Sequence, residues 1–477
     1  MEQTQPEAKR ARPPSPQAQA GEPEEDRLSA LDDATLHAIL ARLPLRDAAA
    51  TTALSRRWPR VFATLPRLSL TCATFNRRET LYEYRDGDEY CDDTNRWTYA
   101  IDGILDGRAA PIASFEVQID FMDAYDDWFY DLFREICRSG GLRELSIWNT
   151  NSTDCYKVPS PVYNCPTLTS LELYSCRLRV PGSLRGLRAV RSLQLHEVVA
   201  TDADIRRMIS RCRDVERLVI SDIRKARNIV IRASNLEKLE ICSYRPLCIS
   251  VKKALRLDSV KLSLSYGCAE LNWSVHDNED TDGDHSISEI EEMFGFEGME
   301  EREHEQTDEI ANMVTFLGGL GSAKTLSLNL ETEYSKVLSK AKSTMPKRLL
   351  KKCQLLGLQK LTLTMDHNHE AVATLVSCLF NSSPNIKDLE IIDPLDIRYS
   401  DPLAAKFWEK QINAECVQNH LSSVTFFMSI SLFKGRPCLG LPQFLVMNAR
   451  VLKRMSIKYH RSNDKPKHAD LLETVRE

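Results

Sequence analysis

The sequence predicts an α/β repeat protein, in which three short N-terminal helices precede an irregular solenoid of stacked strands. Two patterns predict this fold. Near the N-terminus, the apolar residues Leu36, Ile39, Leu40 and Leu43 recur at the spacing of one helical face. Beyond residue 66 the period changes, and a six-residue template, apolar-x-x-apolar-x-apolar, recurs twelve times.

Residues 26–66 make up the helical part, called the helical module below. Asp32 or Asp33 is available to cap its first helix, and Asp47 is available to cap a second. A third helix is expected from about residue 58 to 65. Three short helices bury little surface among themselves, and the segment offers no metal site or disulfide, so the module implies a partner.

The repeated template is that of a leucine-rich repeat, and "LTSLELYSC" (168–176) completes the nine-residue form of this motif. Each copy supplies one short strand whose apolar residues point into a core shared with the neighbouring copies. Five successive copies begin 22, 25, 21 and 21 residues apart. The twelve copies begin at residues 112, 142, 168, 190, 215, 236, 257, 323, 358, 386, 421 and 452.

An acidic insert, residues 276–309, fills the long gap before the copy at residue 323. It holds 15 Asp and Glu against one Arg, so the mild overall charge of −5 conceals a remainder that is net basic. Within it, "NEDTDGDHSISE" (278–289) resembles a calcium-binding loop. The Asn at its first ligand position, His285 at its eighth and the absence of an entering helix favour a solvated acidic loop instead.

The sequence predicts no catalytic residue, no metal site and no cofactor. The 14 cysteines occur singly without a C-x-x-C pair, and Cys176, Cys242 and Cys378 fall in apolar runs where buried free thiols are expected. "MDHNHE" (365–370) brings two His, one Asp and one Glu together, but its spacing favours a surface turn over a metal site. No phosphate-binding glycine loop and no nucleophile with a local base occurs.

Composition also argues against two classes of partner. The negative net charge argues against nucleic acid, and the longest uncharged apolar stretch, Leu421–Phe433, is too short and too rich in Ser to span a membrane. The N-terminal residues have no apolar core of the secretory type. We therefore expect an intracellular protein, in the nucleus, the cytoplasm or both.

The outward positions of the repeat strands are candidates for binding a target protein. Trp148, Tyr174 and His196 each follow the last apolar position of successive strands, so stacking of the repeats would align them as a stripe on a concave face. Glu172, Gln194 and Glu240 are further outward candidates. The alternative is that all six positions are merely solvent-facing or covered by loops.

With both parts described, a resemblance can be named. The segment "DRLSALDDATLHAILARLPLRDAAATTALSRRWPRVFATLP" (26–66) resembles an F-box of the type found in plant F-box/leucine-rich-repeat proteins. "CVQNHLSSVTFF" (416–427) and "LPQFLVMNARVLKRMSI" (441–457) are similar to the FBD segment that closes many of these proteins. The residues that carry the F-box resemblance are Asp26, Arg27, Leu28, Leu31, Leu36, Ile39, Leu40, Leu43, Pro44, Arg46, Asp47, Ala48, Ala49, Leu54, Ser55, Arg56, Arg57 and Trp58.

The resemblance implies a non-catalytic substrate receptor of an SCF-type cullin ubiquitin ligase. In such a complex the F-box binds a Skp-type adaptor, which bridges to the cullin, and the repeats bind the target protein. The implied adaptor-binding residues are Leu28, Leu31, Leu36, Ile39, Leu40, Leu43, Pro44, Leu54, Ser55, Arg56 and Trp58. The implied organisation is a disordered tail (1–25), the F-box (26–66), the leucine-rich-repeat solenoid with its insert (67–415), FBD-like terminal repeats (416–460) and a C-terminal tail (461–477).

Two residues depart from the family pattern. Asp32 replaces a usual proline, and Pro59 directly follows Trp58, which predicts that the third helix begins later than usual and that adaptor binding is weakened. This departure supports an alternative, in which the chain is a leucine-rich-repeat interaction scaffold whose degenerate F-box no longer joins a ligase. A third hypothesis, a sensor with a small molecule in a solenoid pocket, gains little from the irregular repeats.

Overall fold

The computed structural model describes residues 28, 30–70, 90–119, 126–149, 155–265, 308–330, 332–367, 369–393, 404–411, 415–429 and 440–460. Its helices are α1 (Asp33–Leu40), α2 (Leu45–Ala50), α3 (Trp58–Ala63), α4 (Tyr90–Asp106), α5 (Asp126–Arg138), α6 (Ser160–Asn164), α7 (Asp202–Arg211), α8 (Glu309–Leu317), α9 (Thr332–Ser339), α10 (Glu370–Ser382), α11 (Ala405–Glu409), α12 (Glu415–Asn419) and α13 (Gly440–Asn448). Short 3₁₀ turns cover Thr51–Ala53 and Lys351–Cys353.

In the described residues, the strands occur singly or in runs along the chain. They are β1 (Arg67–Leu70), β2 (Ser114–Ile119), β3 (Glu144–Asn149), β4 (Tyr156–Lys157), β5 (Ser170–Tyr174), β6 (Cys176–Arg177), β7 (Ser192–His196), β8 (Arg217–Ser221), β9 (Asn228–Arg232), β10 (Lys238–Ser243), β11 (Cys248–Lys252), β12 (Ser259–Leu264), β13 (Thr325–Leu330), β14 (Lys360–Thr364), β15 (Asp388–Ile392), β16 (Ser423–Ser429) and β17 (Arg454–His460).

Thirteen of the strands form one parallel sheet in the order β1-β2-β3-β5-β7-β8-β10-β12-β13-β14-β15-β16-β17. Each of the twelve template copies contributes one of these strands, which confirms the predicted α/β repeat fold. The thirteenth strand, β1, was not predicted. It belongs to "LPRLSL" (65–70), which fits the same template but was not counted among its copies, and it lies directly after the helical module, at the start of the predicted solenoid.

The strand register explains why the leucine pattern folds in this way. Leu171 pairs with Leu193, and Leu193 pairs with Leu218 on the next strand. All three side chains are fully buried, so the apolar positions of successive strands form one continuous core. Each unit covers the apolar face of its neighbour, which is how a solenoid stabilises units too small to fold alone.

The first helix of the module begins as expected, with Asp32 as its N-cap. The Asp32 side chain accepts a hydrogen bond from the Thr35 backbone N–H at 3.3 Å. The second helix corrects an expectation, because its N-cap is Pro44, and Asp47 lies in the first turn without capping it. Proline at this point suits the start of a helix, since its φ is restricted and its missing N–H has no helical partner.

The third helix also corrects an expectation. Helix α3 begins at Trp58, and Pro59 lies within its first turn. The first four N–H groups of a helix have no carbonyl partner inside it, so a proline there removes no helical hydrogen bond. Pro59 therefore does not delay the helix, contrary to the prediction.

The helical module has a core of its own, separate from that of the solenoid. The core side chains are Leu36, Leu40, Ala48, Trp58, Val61 and Leu65. His37 ties α1 to α3, because its Nε2 lies 3.0 Å from the Val61 carbonyl oxygen and 3.1 Å from Thr64 Oγ1. Leu45 instead packs in the solenoid core.

Several predicted segments lie outside the described residues. These are both tails and, within the acidic insert, the calcium-like loop at 278–289. At the end of the insert, Asp308 caps α8 by accepting a hydrogen bond from the Ala311 N–H at 3.2 Å. In the described ranges, no helix has both the length and the apolar character that crossing a membrane requires.

Candidate functional site

The outward face of the sheet carries rows of side chains set by the parallel register. In one row, Gln118 of β2 pairs with Trp148 of β3, and Trp148 pairs with Tyr174 of β5. Tyr174 pairs with His196 of β7, which pairs with Ser221 of β8. The predicted alignment of the three ring-bearing residues is therefore confirmed by the register.

The three rings stack face to face and form what we call the aromatic ladder, Trp148, Tyr174 and His196. The Trp148 and Tyr174 ring centroids lie 3.6 Å apart with planes 17° apart. The Tyr174 and His196 centroids lie 4.2 Å apart with planes 5° apart. Both spacings are below the roughly 4.8 Å between neighbouring strands, so the rings lean together into direct contact.

Hydrogen bonds hold the first two rings along their own strands. The Tyr174 hydroxyl donates to Glu172 Oε1 at 2.8 Å, and the Trp148 indole N–H donates to Ser146 Oγ at 2.6 Å. Burial, with the Glu172 carboxylate beside it, raises the pKa of Tyr174 to about 12. The hydroxyl therefore remains a donor at neutral pH, and the orientation of the ring is fixed.

His196 at the end of the ladder is kept neutral by its surroundings. Burial lowers the pKa of its imidazole, although the carboxylates of Glu172, Glu240 and Glu197 act in the opposite direction. Its Nε2 is covered and has no hydrogen-bond partner among the described residues. A neutral imidazole presents a flat π-face on the side away from Tyr174.

The two ends of the ladder differ. Gln118 occupies the row position next to Trp148, whereas the next positions after His196 are Ser221, Cys242 and Ser263 on β8, β10 and β12. None of these three side chains carries a ring.

Cys242 was expected to be a buried thiol, but it lies in this outward row and is only half-buried. Cys176 and Cys378 are buried as expected.

The other candidate target-binding residues lie in the middle row of the same face. Glu172 pairs in register with Gln194 on the neighbouring strand. Glu240 lies two strands beyond Gln194 and forms an ion pair with Lys261 at 2.7 Å. In the described part of the chain, Glu172 has no basic side chain within ion-pair distance. The structure thus gathers five of the six candidates on three adjacent strands, and their role in target binding stays a prediction.

A feature that we did not predict follows the strands at the same edge. Ser175, Glu197 and Asp222 come directly after β5, β7 and β8, and each adopts a left-handed backbone with φ between 48° and 54°. Their N–H groups donate to carbonyls of the next strand, Glu197 to Ser221 at 2.7 Å for example. No glycine marks these turns, so the sequence carries no signal for them.

The eleven candidate adaptor-binding residues fall into three groups by exposure. Leu36, Leu40 and Trp58 are buried in the module core, so they hold the helices together and present no exposed surface of their own to an adaptor. Leu31 is partly buried against the same core. The others are exposed: Leu28, Ile39, Leu43, Pro44, Leu54, Ser55 and Arg56.

The segment "MDHNHE" differs from the predicted surface turn. Asp366, His367 and His369 are almost fully buried. His369 caps α10, because its Nδ1 accepts a hydrogen bond from the Ala371 backbone N–H at 3.1 Å. His367 Nδ1 lies 2.8 Å from Asp393 Oδ1, in an orientation too poor for a good hydrogen bond. Within the described ranges, no three His, Cys, Asp or Glu side chains are placed to hold a metal ion.

Comparisons with known proteins agree with this architecture. The family model described as "FBD-associated F-box protein At5g56370, LRR repeats" matches residues 127–276. The chain is 29% identical over 223 residues to the F-box/FBD/LRR-repeat protein At3g26920 of Arabidopsis thaliana, covering 46% of this chain and 47% of that protein. The match therefore spans about half the length of that relative.

Two other relatives match over most of their length. The putative F-box/FBD/LRR-repeat protein At4g13965 of Arabidopsis thaliana is 24% identical over 436 residues, which cover 90% of this chain and 89% of that protein. The FBD-associated F-box protein At3g52670 of the same plant is 23% identical over 437 residues, 91% and 88% of the two chains. These similarities confirm the resemblance found in the sequence.

Proposed function

We propose that this chain, a relative of the plant F-box/FBD/LRR-repeat proteins, is a substrate-recognition subunit of an SCF-type cullin ubiquitin ligase. The helical module binds a Skp-type adaptor, and the repeat sheet binds the protein to be modified. The chain itself selects the target, and the conjugating machinery carried by the cullin performs the transfer. We propose that it acts inside the cell, in the nucleus, the cytoplasm or both.

The observation that carries the adaptor-binding half is a set of exposed apolar side chains on the helical module. Leu28, Ile39, Leu43 and Leu54 are 51%, 37%, 39% and 63% exposed, although the module has a complete core without them. Scattered exposed leucines are ordinary, but these four lie within 27 residues on one small module. A partner that covers them would gain the burial that the module alone does not achieve.

The scaffold alternative rested on Pro59, and the structure removes that support. Helix α3 begins at Trp58 with Pro59 in its first turn, so the backbone of the module is not disturbed there. The alternative still differs from the proposed function in one measurable outcome, because a chain with a degenerate F-box would co-purify with neither adaptor nor cullin.

The test is co-purification of the full chain with a purified Skp-type adaptor and cullin. We expect Leu43→Asp and Leu54→Asp each to lower adaptor affinity by at least about tenfold while leaving the melting temperature unchanged, because both side chains are exposed. Leu255→Asp is the matched control, since Leu255 is 80% exposed on a distant repeat turn and should leave binding intact. Failure of the unsubstituted chain to bind the adaptor would overturn the proposal.

A further inference from the structure

At one end of the aromatic ladder, no ring of the same row covers the outer face of the last ring. The rings of Trp148, Tyr174 and His196 occupy three successive layers, one for each strand. The next layer lies over Ser221 on β8, a small side chain that cannot cover the outer face of His196. A flat group from another molecule, placed over Ser221, would continue the stack at the same spacing.

The charges around this layer are mainly negative. Glu172, Glu197 and Glu240 are the side chains that act on the His196 imidazole, and all three are carboxylates. Among the described residues, Glu172 and Glu197 have no basic partner within ion-pair distance, and only Glu240 is paired, with Lys261. Arg224 and Arg245 act on Asp222, just beyond the layer. Glu172 lies on β5, two strands from Ser221, so the carboxylate without a counterion that a cation at this end of the ladder would meet is that of Glu197.

Shape distinguishes the two cationic side chains of proteins. The guanidinium of arginine is planar and stacks on aromatic faces while its N–H groups donate to carboxylates in the same plane. The ammonium of lysine is compact, strongly hydrated and has no flat face. Parallel rings at 3.6 and 4.2 Å form a stack that accepts a plane as its next member.

We infer that the end of the aromatic ladder at His196 and Ser221 binds the guanidinium of an arginine side chain in the target protein. The inference rests on the proposed role of the sheet in target binding and specifies the chemistry of that target. The arginine stacks on His196 and donates hydrogen bonds to Glu197, the carboxylate that directly follows His196 in the chain. A basic segment containing arginine is thus the kind of partner that this surface fits.

The experiment measures fluorescence anisotropy of three labelled peptides with the full chain at low salt. The peptides are Gly-Arg-Gly-Arg-Gly, its lysine version, and its citrulline version, in which a planar urea without charge replaces the guanidinium. We expect the arginine peptide to bind about fivefold more tightly than the lysine peptide and about tenfold more tightly than the citrulline peptide. Equal binding of the arginine peptide and either of the other two overturns the inference.

Two variants locate the site. Ser221→Phe supplies a ring in the open layer, so the arginine peptide should fall to the affinity of the citrulline peptide. Ser327→Phe is the matched control, because Ser327 is an outward, half-buried serine on β13, away from the ladder. Should Ser221→Phe fail to fold, Glu197→Gln removes one carboxylate and should reduce the preference for arginine over citrulline two- to threefold. No change in either variant overturns the assignment.

The outcome is separable from that of the proposed function. Adaptor and cullin binding, measured on the same protein preparations, depends on the helical module and not on the ladder. Loss of adaptor binding with an intact arginine preference would overturn the ligase role alone. An absent arginine preference with intact adaptor binding would overturn the arginine site alone.

Discussion

The indole of Trp148 and the phenol of Tyr174 are 26 residues apart in the chain, yet their ring centroids lie only 3.6 Å apart on neighbouring parallel strands. His196 extends the stack on the third strand. Cross-strand side-chain pairs are a main source of sheet stability, and aromatic pairs are among the stronger of them. The ladder therefore stabilises three consecutive repeats at the same place where it is proposed to bind.

Replacing the middle ring of the ladder should be costly, because Tyr174 contacts a ring on each side. We expect Tyr174→Ala to lower the free energy of unfolding by about 2 kcal/mol, whereas Tyr174→Phe keeps the stack and costs about 1 kcal/mol for the lost hydrogen bond to Glu172. Urea denaturation measures both changes. Tyr99→Ala, at a tyrosine that is 75% exposed on α4, is the control and should have little effect.

A double-mutant cycle tests the stack itself. If Trp148 and Tyr174 are coupled, the combined Trp148→Ala and Tyr174→Ala chain should lose about 1 kcal/mol less than the two single losses added together. Strict additivity would mean that the two rings do not stabilise each other.

Much of the solenoid can be predicted from the sequence, because its apolar residues recur at the period with which a strand points side chains into the core. A strand alternates sides every residue, so "LTSLEL" predicts both β5 and the direction of its leucines. The same alternation places Tyr174 outward, and regular spacing between copies predicts that it aligns with Trp148. Strand identity and the ladder were therefore predictable before any contact was known.

Other features depend on contacts that local patterns do not contain. His367 contacts Asp393, which directly follows the later strand β15, so a polar segment that resembles a surface turn is in fact enclosed. In the helical module, Leu36 and Leu40 form one stripe of α1, and Ile39 and Leu43 follow an adjacent one. The spacing predicts a helix but not which stripe its neighbours cover.

Pro59 should prove almost neutral for the helical module. We expect Pro59→Ala to change adaptor affinity by less than about twofold. It should lower stability by at most about 1 kcal/mol, because the only effect lost is the restriction that proline places on the unfolded chain. Ala63→Pro provides the contrast, since it introduces proline beyond the first turn of α3 and should cost about 3 kcal/mol or more. Adaptor titration and thermal unfolding measure these effects. Stronger adaptor binding by Pro59→Ala would restore the idea that Pro59 weakens the interface.

Asp202 should make the solenoid sensitive to acid. Burial alone would raise the pKa of its carboxyl, but hydrogen bonds from the N–H groups of Asn228 and Arg227 outweigh burial and lower that pKa. The Oδ1 distances are 3.0 Å to Asn228 N and 2.8 Å to Arg227 N. The carboxylate therefore contributes stability above the unfolded pKa of about 4, and this contribution is lost as pH falls through the lower folded value.

The corresponding measurement compares urea midpoints at pH 7 and pH 3. The Asp202→Asn chain should have a lower midpoint at pH 7 and a smaller drop on acidification than the unsubstituted chain. Asp214→Asn is the control, because Asp214 is exposed and should leave the pH profile unchanged. An unaltered acid sensitivity in Asp202→Asn would contradict the role of this carboxylate.

The contributions of the enclosed residues His367 and Asp393 to the free energy of unfolding should depend on each other. His367 Nδ1 and Asp393 Oδ1 are 2.8 Å apart, and both side chains are at most 3% exposed. We expect Asp393→Ala to lower the free energy of unfolding by about 3 kcal/mol, because it leaves a buried imidazole without its polar neighbour. The combined His367→Leu and Asp393→Leu chain should lose less than the sum of its single changes, because two apolar side chains need no polar partner. Asp388→Ala, at the exposed start of β15, the strand that precedes Asp393, should cost less than about 0.5 kcal/mol and provides the baseline for urea denaturation. A similar cost for Asp393→Ala and Asp388→Ala would show that the buried contact contributes nothing to the stability of the repeat.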